Sequence, residues 1–187
     1  MNPEFTRNHF ELLGLPVAFA IEPDSLERAY LDLQSRVHPD RFASSGDAER
    51  RVAMQWATRA NEAYRTLRNP LDRARYLLGL KGFDTGEESN TSMPADFLMQ
   101  QMEWREAVEA GRASGDHAAL EALRGEIEAA RHEMHSLLAR ALGGDRNYDA
   151  GCSLVRKLRF LDRLEEEIDE ILDEAADARA DGARRRP

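Results

Sequence analysis

Residues 24–42 read DSLERAYLDLQSRVHPDRF and contain an apolar pattern that stops at a histidine–proline–aspartate turn. Apolar side chains recur at the spacing of one helix face, at Leu26, Tyr30, Leu33 and Val37. Pro39 lacks a backbone N–H and disfavours helical geometry at His38, so the helix must end there. The stretch therefore predicts an amphipathic helix followed by a turn that points His38 and Asp40 outward.

A second, longer helix is predicted after this turn. It starts at the turn signal SSGD of residues 44–47 and ends at Asn69-Pro70. Small side chains allow two helices to approach closely, so the helices on either side of the turn should form an antiparallel hairpin. A last helix over 71–80 completes an N-terminal unit at about 5–80. The apolar stripe of the long helix is rich in alanine and consists of Ala53, Trp56, Ala57, Ala60, Ala63, Tyr64 and Leu67.

Three further amphipathic segments follow a polar linker at 81–94 and predict helices at about 95–111, 117–142 and 148–174. Helices joined by short links pack as an antiparallel bundle, so the fold class is all-α. The tail at 175–187 is small and polar, and we expect it to be disordered. The second of these helices carries a near-heptad seam of Leu120, Leu123, Ile127, Ala130, Met134, Leu137 and Ala141.

The composition narrows the function classes. A net charge of -9 argues against nucleic-acid binding, because phosphate contacts need clustered Lys and Arg. No apolar run approaches the length of a membrane span, and the first residues do not resemble a signal peptide. Cys152 is the single cysteine, so neither an internal disulfide nor a CxxC zinc site can form. We expect a cytoplasmic protein without a membrane partner.

The sequence contains no complete enzymatic motif. The run His132-Glu133-Met134-His135 approaches the HExxH pattern of zinc proteases, but that pattern needs a second histidine at 136, where Ser136 stands. Two histidines three residues apart, without cysteine or carboxylate partners, are typical of a plain helix surface. We therefore expect no metal, no cofactor and no enzymatic activity. A metal-dependent hydrolase would contradict this by carrying metal when purified.

The turn and its flanks resemble the J-domain family, in which a helix pair surrounds this tripeptide. The resemblance implies that the turn docks on the ATPase domain of a DnaK-type chaperone and promotes ATP hydrolysis. The alternative is that Asp40 caps the following turn and His38 is an ordinary surface residue. The residues that the resemblance assigns to ATPase activation are His38, Pro39, Asp40, Arg41 and Phe42.

J-domains commonly dock through a basic face on the helix before the turn. The candidates for this face are Arg28 and Arg36, which lie eight residues apart. Asp32 lies between them at the i+4 spacing of both, so the arginines could instead pair within their own helix. Both interpretations remain open from the sequence.

Three runs narrow the resemblance to the HscB family of iron–sulfur cluster biogenesis: LDRARYLL at 71–78, DFLM at 96–99 and VRKLRFLD at 155–162. The resemblance covers about residues 8–172. It implies an L-shaped protein, a J-domain joined to a three-helix bundle, in which the J-domain recruits the chaperone HscA and the bundle binds the scaffold IscU. We expect a monomer. The alternative function is a J-domain adaptor for a different client protein.

The first helix of the bundle is apolar on two faces. One stripe, formed by Phe97, Trp104 and Val108, can face the core, and the apolar residues off this stripe suggest a partner surface. The alternative is that these residues complete the core or pack against the J-domain. The family's scaffold-binding patch carries over to Leu98, Met99, Met102, Glu103, Glu106 and Phe160, whereas one acidic position of the patch falls on Ala110.

Overall fold

The computed structural model of the chain describes residues 7–38, 41, 46–86 and 93–184, with side chains described as far as 177. Within these ranges the secondary structure is helical, which confirms the all-α fold class. The helices are α1 (His9–Leu12), α2 (Pro23–Val37), α3 (Asp47–Arg68), α4 (Pro70–Leu80), α5 (Ala95–Ser114), α6 (His117–Leu142) and α7 (Tyr148–Arg184).

The helices α2 and α3 pack against each other as an antiparallel pair. Near the middle of the pair the rings of Tyr30 and Tyr64 stack with centroids 4.3 Å apart, and the Tyr30 hydroxyl donates to Asn61 at 2.8 Å. Four residues of α3 are buried, namely Ala53, Ala60, Ala63 and Leu67. The predicted stripe is therefore correct at these positions, whereas Trp56, Ala57 and Tyr64 are only half-buried.

Asn69 separates α3 from α4 and caps the second of them. Its side-chain oxygen accepts from the backbone N–H groups of Leu71 and Asp72 at 2.8 and 3.2 Å, which satisfies two donors at the start of α4. The side of α4 that carries Tyr76 meets α1, because the His9 ring stacks on the Tyr76 ring at 4.2 Å. The short first helix is thereby held on α4.

The chain divides into two compact units, and the first is discontinuous in sequence. It contains Met1–Asp84 together with Ala139–Tyr148, whereas the second contains Thr85–Leu138 and Asp149–Pro187. Within the first unit, the Phe83 and Tyr148 rings lie 5.2 Å apart. This division differs from the boundaries drawn from the sequence, which place residues 139–148 with the bundle.

The second unit has a core to which α5, α6 and α7 all contribute. The helices α5 and α7 continue past the predicted ends at 111 and 174, to Ser114 and Arg184. Gly115, with φ of +67°, ends α5 in the left-handed conformation that glycine adopts without strain. None of the helices described is both long and apolar enough to cross a bilayer. The core cluster consists of Phe97, Trp104, Val108, Leu120, Leu123, Ile127, Leu161, Leu164, Ile168 and Ile171.

Candidate binding surfaces

The turn after α2 begins at His38, which is exposed and has extended backbone geometry with φ of −60° and ψ of 129°. The Arg41 N–H donates to the His38 carbonyl at 3.1 Å, and the Arg41 guanidinium donates to the Ser35 carbonyl at 3.0 Å. Arg41 thus satisfies two carbonyl groups at the end of α2. Three other residues predicted to activate the ATPase lie outside the described residues, namely Pro39, Asp40 and Phe42.

The two arginines predicted to dock a chaperone have local partners on α2. Arg36 pairs with Asp32 at 2.8 Å, and Arg28 donates to the Ser25 hydroxyl at 3.3 Å. Both side chains of the Arg36–Asp32 pair are well exposed, so solvent screens it and its contribution to stability is small, about 0.5 kcal/mol. A partner carboxylate could replace Asp32 at little cost.

An apolar groove beside the turn was missed by the sequence analysis. Val37 at the end of α2 faces Ala48, Val52, Ala53 and Trp56 on the first turns of α3. Val52, which lines this groove, is 43% exposed. The signal available in the sequence was Trp56 itself, because a large aromatic on a stripe otherwise rich in alanine leaves space that the small side chains cannot cover.

The predicted scaffold-binding residues of α5 lie on its outer surface. Met99 and Met102 are each 62% exposed, which is a high value for such large apolar side chains, and Leu98 is half-buried between them and the core. Glu103 and Glu106 are exposed on the same helix. The Glu103 carboxylate accepts from the Gln100 side chain at 3.1 Å.

Phe160 of α7 joins this surface to the core of the unit. Its ring stacks on Trp104 with centroids 6.3 Å apart and meets the edge of Phe97 at 6.0 Å. Phe160 also lines a depression of about 470 Å³ between α5 and α7, together with Leu98 and Met102. The structure therefore brings these three predicted residues together, and it gives Phe160 a packing role as well.

The same depression is lined by arginines that the sequence analysis did not single out. They are Arg105, Arg156, Arg159 and Arg163. The Arg105 guanidinium lies over the Phe160 ring, 5.6 Å from its centroid. Their spacing was a usable signal, because residues 156, 159 and 163 fall at i, i+3 and i+7 on one face of a helix.

A half-buried polar network joins α6 to α7. Arg131 lies 3.2 Å from Glu165 and 3.9 Å from Asp162. Burial lowers the pKa of His135 and raises the pKa of Asp162, although the charge of Arg131 opposes the second shift. Within the described part of the chain, no three potential metal ligands of the His, Cys, Asp or Glu type come together.

Known proteins resemble this chain over nearly its whole length. A family model described as the HSCB C-terminal oligomerisation domain matches residues 93–169. The co-chaperone protein HscB homolog of Ralstonia nicotianae is 48% identical over 169 residues, which cover 90% of this chain and 96% of that protein. The homolog of Burkholderia thailandensis is 53% identical over 164 residues, which cover 86% and 91%.

Two solved structures are similar in fold. Chaperone HscB from Vibrio cholerae has a TM-score of 0.77 at 37% identity, and the match covers 90% of this chain and 99% of that one. The crystal structure of human co-chaperone protein HscB has a TM-score of 0.81 at 28% identity, with coverage of 88% and 81%.

Proposed function

Because the chain belongs to the HscB family of co-chaperones, we propose that it binds the iron–sulfur scaffold IscU, delivers it to the DnaK-type chaperone HscA and stimulates ATP hydrolysis there. Co-chaperones of this family act with Hsp70-type chaperones. The observation that supports binding of the scaffold is a pair of exposed methionines, Met99 and Met102. They lie on a helix inside the region that matches the family model.

The chaperone-facing part is assigned to the J-domain at 5–80. Its helix pair α2 and α3 packs through the small buried side chains of α3, and the turn between the two helices is assigned to the contact with the chaperone. In this assignment Asp40 accepts a bidentate pair from an arginine of the chaperone, a geometry that a carboxylate and a guanidinium favour. Such a contact stimulates hydrolysis only if it binds one state of the ATPase domain better than the other.

The client-facing part is assigned to the bundle at 95–174, with 81–94 as the linker and 175–187 as a tail. Methionine side chains are unbranched and polarisable, and they adapt to an irregular partner surface. Leu98 and Phe160 are half-buried and so already ordered, which limits the entropy lost when a partner covers them. An apolar centre of this kind, with Glu103 and Glu106 at its rim, has the anatomy of a protein–protein interface.

The test measures the ATPase rate of purified HscA with this chain alone, with IscU alone and with both. We expect the chain alone to raise the rate, and the chain with IscU to raise it more than the two separate effects combined. The same rates are measured with the double variant Met99→Ala with Met102→Ala. This variant should stimulate HscA normally when alone and should lose only the extra stimulation that IscU adds.

Two results would contradict the proposal in different ways. Stimulation by the chain without any effect or binding of IscU would leave a J-domain adaptor for a different client. A folded chain that does not stimulate HscA at all would remove the co-chaperone assignment.

A further inference from the structure

The depression between α5 and α7 concentrates positive charge in a chain whose net charge is -9. Four arginines line it, and Glu167 is the one acidic residue among its lining. Glu167 also faces Arg112, at 3.5 Å, so part of its charge is already neutralised by a fifth arginine. The local balance of the depression is therefore strongly positive.

Three of the four arginines have no carboxylate partner within the described part of the chain. No carboxylate there lies within ion-pair distance of Arg105, Arg156 or Arg163. Arg156 donates one guanidinium N–H to the backbone carbonyl of Thr85 at 2.7 Å, and its Nε is buried without a hydrogen-bond partner. Arg156 is half-buried, and a partly buried cationic group without an acidic partner is costly, so an incoming carboxylate would gain more here than at an open surface.

The arginines lie directly against the apolar surface described above. Leu98, Met102 and Phe160 line the same depression, and the Arg105 guanidinium lies over the Phe160 ring. An arginine held over an aromatic ring is ordered before a partner arrives, and arginine beside aromatic side chains is typical of the residues that dominate interface energies.

We infer that this depression receives an acidic segment of the client protein, with carboxylates paired to the arginines and an apolar side chain against Met102 and Phe160. The inference rests on the proposed function, because it specifies the chemistry of the partner that the bundle binds. A protein segment fits better than a small anion, since half of the lining is apolar and the volume of about 470 Å³ is large. The planar guanidinium fork matches a carboxylate in two parallel hydrogen bonds.

The two sides of α5 then differ in charge. Arg105 lies toward the depression, whereas Glu103 and Glu106 are exposed elsewhere on the helix. A client with an acidic segment on one side of its apolar contact and basic residues on the other binds in one orientation, because the reverse orientation places like charges together. The arginines thereby set the direction in which the client is held.

The experiment titrates purified IscU into the full chain by calorimetry at low and at raised salt concentration. The variant Arg105→Gln with Arg163→Gln keeps much of each side chain and removes two charges. The control, Arg124→Gln with Arg140→Gln, removes two charges from α6 outside the depression. We expect the first variant to bind IscU at least tenfold more weakly at low salt and to lose most of the salt dependence, and the control to stay within about twofold of the wild type.

Three results would overturn the inference. Unchanged affinity and salt dependence in the first variant, while Met99→Ala with Met102→Ala weakens binding, would leave the proposed function standing without the arginine contact. A wild type that does not bind IscU would remove both. If the double variant melts early, the single variant Arg163→Gln, with an exposed side chain, must still weaken binding about threefold in the same salt-dependent way.

Two other occupants are distinguished by the same variants. Inorganic phosphate bound by the wild type and lost in Arg105→Gln with Arg163→Gln, while IscU affinity is unchanged, would make the depression a small-anion site. Self-association in sedimentation experiments that is lost in the same variant, again with unchanged IscU affinity, would make the occupant a second copy of this chain.

Discussion

The two units of the chain place their candidate surfaces differently with respect to their cores. In the first unit, α3 is packed through buried alanines, whereas the two described residues of the turn after α2, His38 and Arg41, are exposed. In the second unit, Phe160 stacks on the buried Trp104 and also lines the surface depression. We therefore expect substitutions at the turn and at the exposed methionines to change function alone, and substitution of Phe160 to change function and stability together.

The largest expected effect concerns the turn. The substitutions His38→Gln and Asp40→Asn should each reduce stimulation of HscA to the unstimulated rate, because both remove groups proposed to contact the ATPase domain. His38 is exposed, so the melting temperature measured by circular dichroism should not change. A folded variant that retains nearly wild-type stimulation would show that the turn is not the activating element.

The second prediction compares one tryptophan from each unit. Trp104 is 8% exposed, so Trp104→Ala should lower the free energy of unfolding by about 3–5 kcal/mol, the usual range for a large buried aromatic. Trp56 is half-buried beside an open groove, so Trp56→Ala should cost about 1–2 kcal/mol. Urea denaturation of both variants measures the difference, and equal losses would contradict the contrast between the two cores.

The third prediction separates binding from packing within the bundle surface. Leu98→Ala with Met102→Ala should weaken IscU binding at least tenfold, about 1.4 kcal/mol, with little change in the thermal melt. Adding Phe160→Ala should weaken binding further and also lower the melting temperature, because its ring contacts Trp104 and Phe97. Calorimetry beside a melt reports both quantities. If the double variant already melts early, Leu98 and Met102 belong to the core.

The smallest expected effect is on the pH dependence of stability, which arises from different groups in the two units. Burial lowers the pKa of His9 below its ordinary value of 6.5, against the opposing charge of Glu62. The unfolded chain then takes up a proton before the folded one as pH falls below about 6.5, so stability should decrease there and level off below the folded pKa. His9→Phe, which keeps the stack on Tyr76, should flatten this part of the curve. Urea denaturation at about pH 7.5 and about pH 5.5 checks it.

In the second unit, the pKa shifts of His135 and Asp162 have opposite effects on stability as pH falls. The pKa of His135 is also lowered by burial, so its protonation should destabilise the fold at low pH in the same way. The raised pKa of Asp162 means that the folded chain takes up this proton first, and stability should partly recover as pH falls toward the ordinary value of 3.8. The free energy of unfolding, measured as a function of pH, should therefore be altered by His135→Gln at a higher pH than by Asp162→Asn.

The order and type of the helices could be predicted from the sequence, because proline, glycine and apolar period are local signals. The seam of α6 shows where a local pattern fails. A heptad count places Leu137 inside, yet Leu137 is 41% exposed and Leu138 is fully buried. Eleven residues at 100° per residue return Leu138 to within about 20° of Ile127, whereas ten residues leave Leu137 about 80° away.

The candidate surfaces were predictable to different extents. Met99 and Met102 could be assigned to the outer surface because residues off the core stripe of one helix can be counted along the chain. The arginine-lined depression takes residues from α5 and α7, so it exists only after the two helices pack. The assignment of the turn residues stays a prediction from the resemblance, since Asp40 lies outside the described residues.

The discontinuity of the first unit has a consequence for the order of events during synthesis. Its final segment, Ala139–Tyr148, is translated after most of the second unit, yet it belongs with residues made at the start. On the ribosome, where domains usually fold from the amino end, the Phe83 ring remains without Tyr148 until some sixty further residues have emerged. A nascent chain arrested before residue 139 should therefore hold its first unit in a looser state than the released protein does.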